Sequence, residues 1–289
     1  MVKYLTGVIT KGIGGFYYVR AEDGKTYECR ARGIFRKQGT KPMIGDFVTI
    51  ELNGEQGSIT EIGERKNALI RPSVANIDML VLVSATKSPE ANPYFLDKML
   101  VIAERQEISP VLCFNKEDLE SGHALETIYR SAGYPIFRTS AETGEGVEEL
   151  RTLIRGKTTA FAGLSGVGKS SLLTLLTSTE LETGSVSERL QRGKHTTRHV
   201  ELFPLPEGGF VLDTPGFSSL VPENFPPEEL FWCFPEMRNV GVCRFRGCSH
   251  ISEPDCAVKK KLSEGGISPS RYESYCALYR ALKEHKDWE

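Results

Sequence analysis

The chain has 289 residues, 39% of them apolar and 26% charged, a composition that excludes a disordered or fibrous protein and leaves room for two or three domains. No run of about 18 apolar residues occurs, and the start MVKYLTGVITKGIGGFYYV lacks a signal-peptide pattern, so neither a membrane span nor export is expected and a cytoplasmic home is. A net charge of −2 averages over faces of different sign, which leaves the question of nucleic acid to local clusters.

Residues 1–70 alternate short β-like runs with Gly, Asp and Asn turns, in GVITKGIGG, FYYVRAEDGKTYECRARG and GDFVTIELNGEQGSITEI. FYYV and YECR flank a Glu-Asp-Gly turn signal and predict a hairpin. The number of strands fits a five-stranded barrel such as an OB-fold. Arg30, Arg32, Arg36, Lys37 and Lys41 cluster beside Tyr27 and Phe35, and basic side chains interleaved with aromatics suit an RNA groove.

A second domain, 71–222, is expected from the change of pattern near residue 74. Apolar strands (DMLVLVSA, SPVLCFNK, PIFRTSA, TTAFAG, HVELF, GFVLDT) alternate with helical stretches, which predicts an α/β fold with a mostly parallel sheet. Asn115-Lys116-Glu-Asp118 follows the strand PVLCF and emerges at its C-terminal end, where such sheets bind ligands. Asp118 can accept hydrogen bonds from guanine N1 and N2, and adenine would leave it unpaired, a loss worth about 10⁴ in discrimination. Lys116 can lie across the base and Asn115 can brace the loop. Ser140-Ala141, after the next strand, can close over guanine O6 with a backbone N–H.

Gly163-Leu164-Ser165-Gly166-Val167-Gly168-Lys169-Ser170 matches G-x-x-x-x-G-K-S/T, with Ser171 following, between a strand and the helical run SSLLTLL. The glycines let consecutive N–H groups turn inward on phosphates, Lys169 reaches the β and γ oxygens, and Ser170 offers a hydroxyl to Mg²⁺. The polar, basic stretch 189–199 has no apolar period and reads as a switch loop that orders when a threonine hydroxyl meets Mg²⁺ and the γ-phosphate. In Gly209-Phe-Val-Leu-Asp213-Thr-Pro-Gly216 an apolar strand ends in an Asp for the Mg²⁺ water shell and a Gly whose N–H can meet the γ-phosphate. In ordinary small GTPases the base motifs follow the phosphate loop. Here they precede it, a circular permutation.

The remaining segment, 223–289, is rich in Pro, aromatic and Cys residues and ends in the helical run YESYCALYRALKEHKDW. The cysteine count is seven, which fits free thiols and metal ligands better than a disulfide framework; Cys29, Cys113, Cys233 and Cys276 read as ordinary buried residues. Cys243-x4-Cys248-x-His250-x5-Cys256 offers three thiolates and an imidazole, a closed tetrahedral set for one structural Zn²⁺. Arg244, Arg246 and Lys259 to Lys261 surround it, a second basic module that points with the first to a large RNA partner.

With these motifs in this order, the sequence resembles the RsgA family (YjeQ, YloQ, EngC) over nearly its full length. The resemblance implies an OB-fold, a circularly permuted P-loop GTPase domain and an α-helical zinc domain. It further implies GTP hydrolysis to GDP and phosphate, low alone and stimulated by the small ribosomal (30S) subunit, in late 30S maturation with contacts to 16S rRNA. A monomer that binds no membrane is expected. Phe217, after the D-T-P-G glycine, cannot orient a water as glutamine does, and the family's candidate for that role falls on His195; the metal-contacting threonine falls on Thr197 or Thr196. Two other readings stay open, a zinc-containing RNA-binding module with a degenerate nucleotide site, and a nucleotide-driven transport or signalling enzyme without RNA.

Overall fold

In the computed structural model, residues 3–37, 39–54, 56–69, 73–177, 200–213 and 225–286 are described. The chain divides into two compact units, Met1–Leu80 with Glu149–Ala162 and Lys169–Phe217, and Val81–Glu148 with Gly163–Gly168 and Ser218–Glu289.

In the first unit β1 (Lys3–Ile13), β2 (Phe16–Ala21), β3 (Thr26–Ala31), β4 (Phe47–Asn53) and β5 (Gln56–Ile62) form a closed barrel of order β1-β2-β3-β5-β4. The expected hairpin is the antiparallel β2–β3 pair, and the parallel β3–β5 pair closes the barrel and leaves no free edge. Alternate residues of β4 point inward, so Val48, Ile50 and Leu52 join Ile9, Val19 and Ile59 in the core. Phe35, on the short helix α1 (Gly33–Lys37), packs into that core with 7% exposure and is therefore not part of a basic groove. Arg30 stacks 4.4 Å over Phe16, and Arg32 pairs with Glu51. Beyond the barrel, the buried Asp46 accepts from Arg65 Nε and Nη2 at 2.7 and 2.8 Å, and Asn76 Nδ2 donates to Gly45 O at 2.9 Å, which pins the segment leading out of the barrel.

After the two-residue pair β6 (Ala68–Leu69) and β7 (Val74–Ala75) come β8 (Met79–Ala85), α2 (Pro93–Arg105), β9 (Ser109–Asn115), α3 (His123–Tyr129), β10 (Ile136–Thr139), α4 (Val147–Ile154), β11 (Thr158–Ala162) and α5 (Lys169–Thr177). The strands β12 (Phe203–Pro204) and β13 (Phe210–Asp213) complete a six-stranded sheet of order β10-β9-β8-β11-β13-β12. The β9–β10 and β11–β13 pairs are parallel. β8, apolar except for Ser84, is buried at every position, as a strand covered on both faces requires. HVELF is less of a strand than its pattern suggests: among its described residues only Phe203 belongs to one, and Glu201 forms an isolated bridge to Lys11, because an edge position needs pairing on one side alone.

In the second unit α2 is capped by Asn92, whose Oδ1 accepts from Phe95 N at 3.0 Å while Pro93 takes the first helical position, a start signal worth about 1 kcal/mol. A 3₁₀ segment (Pro227–Cys233), α6 (Pro235–Arg238), α7 (Ala257–Ser263) and the long α8 (Pro269–Lys286) follow. Leu230, Phe234, Met237, Val258, Ile267, Tyr275 and Leu278 form their core, and Val101 of α2 is built into it. Among the described residues no helix is long and apolar enough to cross a membrane.

Candidate nucleotide and metal sites

The loop 163–168 joins β11 to α5 and has its backbone shape fixed by two close approaches. A Cβ on Gly163 would lie 2.1 Å from Val83 O, and one on Gly168, where φ is +94°, would lie 2.2 Å from Asn115 Nδ2. Val167 is buried and anchors the loop, Leu164 is half-buried, and Ser165, Gly166, Ser170 and Ser171 face outward. A loop of this form at a helix start presents its amides to an anion. Lys169 opens α5; burial pulls its ammonium down from the usual lysine range and the carboxylate of Asp213, at the end of β13, works against that. The hydroxyl of Ser170 and the carboxylate of Asp213 are hard oxygen donors, the set that Mg²⁺ takes beside phosphate.

The base-reading candidates cohere through side-chain geometry. Asn115, 1% exposed at the end of β9, donates Nδ2 to Val167 O at 2.9 Å, while its Oδ1 accepts from Ala141 N at 3.0 Å and Thr139 Oγ1 at 3.2 Å. One amide thus ties the phosphate loop to both base loops. Ser140 Oγ donates to Asp118 Oδ1 at 2.5 Å and accepts from Thr143 N at 3.1 Å, which fixes the carboxylate against β10. Lys116 has φ +68°, its Nζ donates to Ser88 O, and its carbonyl accepts from Thr86 Oγ1 at 2.8 Å. Thr86 and Ser88 were not picked out in the sequence; they lie in a turn with no motif, and only the fold brings them to Lys116. Gly216, His195, Thr196, Thr197 and Phe217 lie outside the described residues.

The expected metal set is assembled. The ligand atoms of Cys243, Cys248, His250 and Cys256 lie within 4.8 Å of one another. His250 Nδ1 is 3.5 Å from Cys243 Sγ and 3.4 Å from Cys256 Sγ, and the two sulfurs are 4.0 Å apart. Tetrahedral zinc, with metal–sulfur and metal–nitrogen bonds of about 2.3 and 2.0 Å, sets neighbouring ligands roughly 3.8 and 3.5 Å apart, so the residues fit the ion. Burial, with the neighbouring thiols, pushes Cys248 up to about 12, so thiolates here need a cation among them. Burial also lowers the His250 imidazole and favours the neutral form that binds metal. Supports missed by the spacing rule hold the turn: Glu253 accepts from Ser249 N and Oγ and from Ile251 N, and Tyr272 and Tyr275 donate to His250 O and Ser249 O at 2.7 and 2.9 Å. Such partners orient the first ligands. Cys29, Cys113, Cys233 and Cys276 are buried, as expected of ordinary small residues.

The RsgA GTPase family matches residues 62–222, and the RsgA N-terminal domain matches residues 6–59. The chain belongs to the RsgA family. A small ribosomal subunit biogenesis GTPase RsgA of Caldanaerobacter subterraneus is 50% identical, over 97% of this chain and 96% of its own. That of Agathobacter rectalis is 46% identical, over 98% and 100%. Among solved structures, YjeQ from Thermotoga maritima superposes with a TM-score of 0.83 at 37% identity, covering 97% of this chain and 99% of its own. YloQ, described as a circularly permuted GTPase, gives 0.81 at 37% over 98% and 96%. As a member of this family the chain is a GTPase with a permuted central domain, a structural zinc site and Mg²⁺-dependent use of guanine nucleotide.

Proposed function

We propose that this protein binds the small ribosomal subunit and 16S rRNA in its GTP state, late in subunit maturation, and leaves on hydrolysis. Three domains divide the work, 1–70 and 223–289 for RNA and 71–222 for the nucleotide. The observation that carries the nucleotide assignment is the Asn115 amide, which hydrogen-bonds Val167 O of the phosphate loop at 2.9 Å and Ala141 N of the base loop at 3.0 Å and so holds the two loops side by side. Asp118 and Lys116 read the base, with the Ala141 N–H near O6, and Gly163 to Ser171 receive the phosphates. Ser170, Asp213 and Thr197 or Thr196 hold Mg²⁺, which when bound neutralises charge on the β and γ oxygens.

In the reaction a water oxygen attacks the γ-phosphorus as the bond to the β–γ bridging oxygen breaks. Lys169 stabilises the charge that gathers on the leaving GDP, and His195 positions the water and takes its proton. The family name, the basic modules and the relatives' titles support the ribosomal partner. A cytoplasmic setting and a monomeric chain complete the proposal.

The test is single-turnover GTP hydrolysis with and without purified small subunits, alongside co-sedimentation with a non-hydrolysable GTP analogue. Subunit-stimulated turnover that His195→Ala abolishes, with GTP binding kept, is the expected result. Absence of turnover under both conditions would leave a zinc-containing RNA-binding module instead.

A further inference from the structure

Arg271 lies on α8 with no solvent exposure, although a guanidinium keeps its charge at any physiological pH. Its Nε and Nη2 donate to Glu236 Oε1 and Oε2 at 2.7 and 3.1 Å, and Nη1 donates to Asp97 Oδ1 at 2.7 Å. Both carboxylates are fully buried as well. The guanidinium carbon lies 4.5, 5.6 and 6.0 Å from the ring centres of Phe234, Tyr129 and Tyr134.

These neighbours come from two stretches of chain with different duties. Glu236 and Phe234 belong to the region that carries the metal ligands. Asp97 is on α2, Tyr129 ends α3, and Tyr134 precedes β10. The latter three lead directly to the base loops: β10 runs into Thr139 to Ala141, and α2 follows the turn whose Thr86 and Ser88 hold Lys116.

One cation between two buried acids is a costly arrangement. Burial drives the Asp97 carboxyl above its usual range even with Arg271 beside it, and apolar side chains of similar volume commonly give equal or better stability. What a fork of three hydrogen bonds adds is direction, since it fixes angle and register as apolar contact does not.

We infer that Arg271 is a positioning residue for guanine selectivity: from the metal-bearing region it locks α2, α3 and the start of β10 in the arrangement that presents Asp118 and Ser140 to the base. The inference rests on the assignment of Asp118 as the base acceptor.

The experiment uses full-length, zinc-loaded protein carrying Arg271→Lys, which keeps the charge and loses the fork. Dissociation constants for GDP and for IDP, which lacks only the 2-amino group, are compared with zinc content and the thermal midpoint as checks on folding. The preference for GDP over IDP falls about tenfold, since an acceptor displaced from the base no longer senses the amino group. A smaller folded fraction would weaken both nucleotides equally and leave the ratio unchanged. Should Arg271→Lys fail to fold, the neutral triple variant Arg271→Met with Asp97→Asn and Glu236→Gln removes every charge together and is expected to lose the same preference. An unchanged ratio in either folded variant overturns the inference and leaves the Asp118 assignment standing. A wild-type protein that binds GDP and IDP equally overturns the base assignment, and the role of Arg271 with it.

Discussion

Replacing Asn115 by alanine is the most direct way to separate the phosphate loop from the base loops. The change removes one donation, to Val167 O at 2.9 Å, and two acceptances, from Ala141 N at 3.0 Å and Thr139 Oγ1 at 3.2 Å. Each such bond contributes about 1 kcal/mol net, and a buried partner left alone adds roughly 1–3 kcal/mol. Val167 is 2% exposed, so its carbonyl has no easy route to water, whereas half-buried Ala141 regains part of its loss from solvent. Three bonds at about 1 kcal/mol each and a stranded Val167 carbonyl at the low end of its range come to about 4 kcal/mol set against the arrangement that binds nucleotide, or roughly a 1,000-fold loss of affinity. Calorimetric titration with GDP and IDP, paired with thermal unfolding, reads it. Because the phosphate loop itself is released, GDP and IDP weaken in parallel. A folded Asn115→Ala protein that binds GDP within about threefold of the parent would refute the argument.

Other outcomes follow from the same geometry. Gly168→Ala, with its Cβ 2.2 Å from Asn115 Nδ2 at φ +94°, abolishes GDP binding in a filter assay, whereas Gly166→Ala, whose nearest neighbour is 3.6 Å away, keeps more of it; equal losses would contradict the close-approach argument. Cys256→Ala lowers bound zinc to background by mass spectrometry and opens 225–286 to hydrogen exchange while the barrel stays protected; Cys276→Ala, buried but no ligand, retains the ion. Arg65→Met leaves the buried Asp46 carboxylate without its bidentate partner and lowers stability to urea by about 3–5 kcal/mol, and a loss under about 1 kcal/mol would show that solvent reaches the acid.

What the sequence made legible was whatever is set by neighbours in the chain. Asn115 to Asp118 and Ser140 stand just after apolar strands, and Gly163 to Ser170 lies between a strand and a helix, so local pattern placed them at strand ends. The barrel hairpin followed from its turn residues for the same reason. The burial of Phe35 is not legible in the sequence, because it depends on which face of a five-residue helix meets the barrel, a tertiary matter that composition does not encode. The Arg271 cluster was invisible for a sharper reason: its acids lie 35 and 174 residues away, and an isolated Arg in an amphipathic helix reads as a solvated charge.

Titration of purified, zinc-loaded protein with GDP and with ADP tests the central claim most directly, since both carry the same phosphates and differ in the base. A carboxylate at Asp118 that meets a guanine donor pair predicts GDP binding tighter by about 10⁴. Equal affinities would mean that residues 115–118 and 140–141 do not read the base, and the chain would have to be understood without a guanine site.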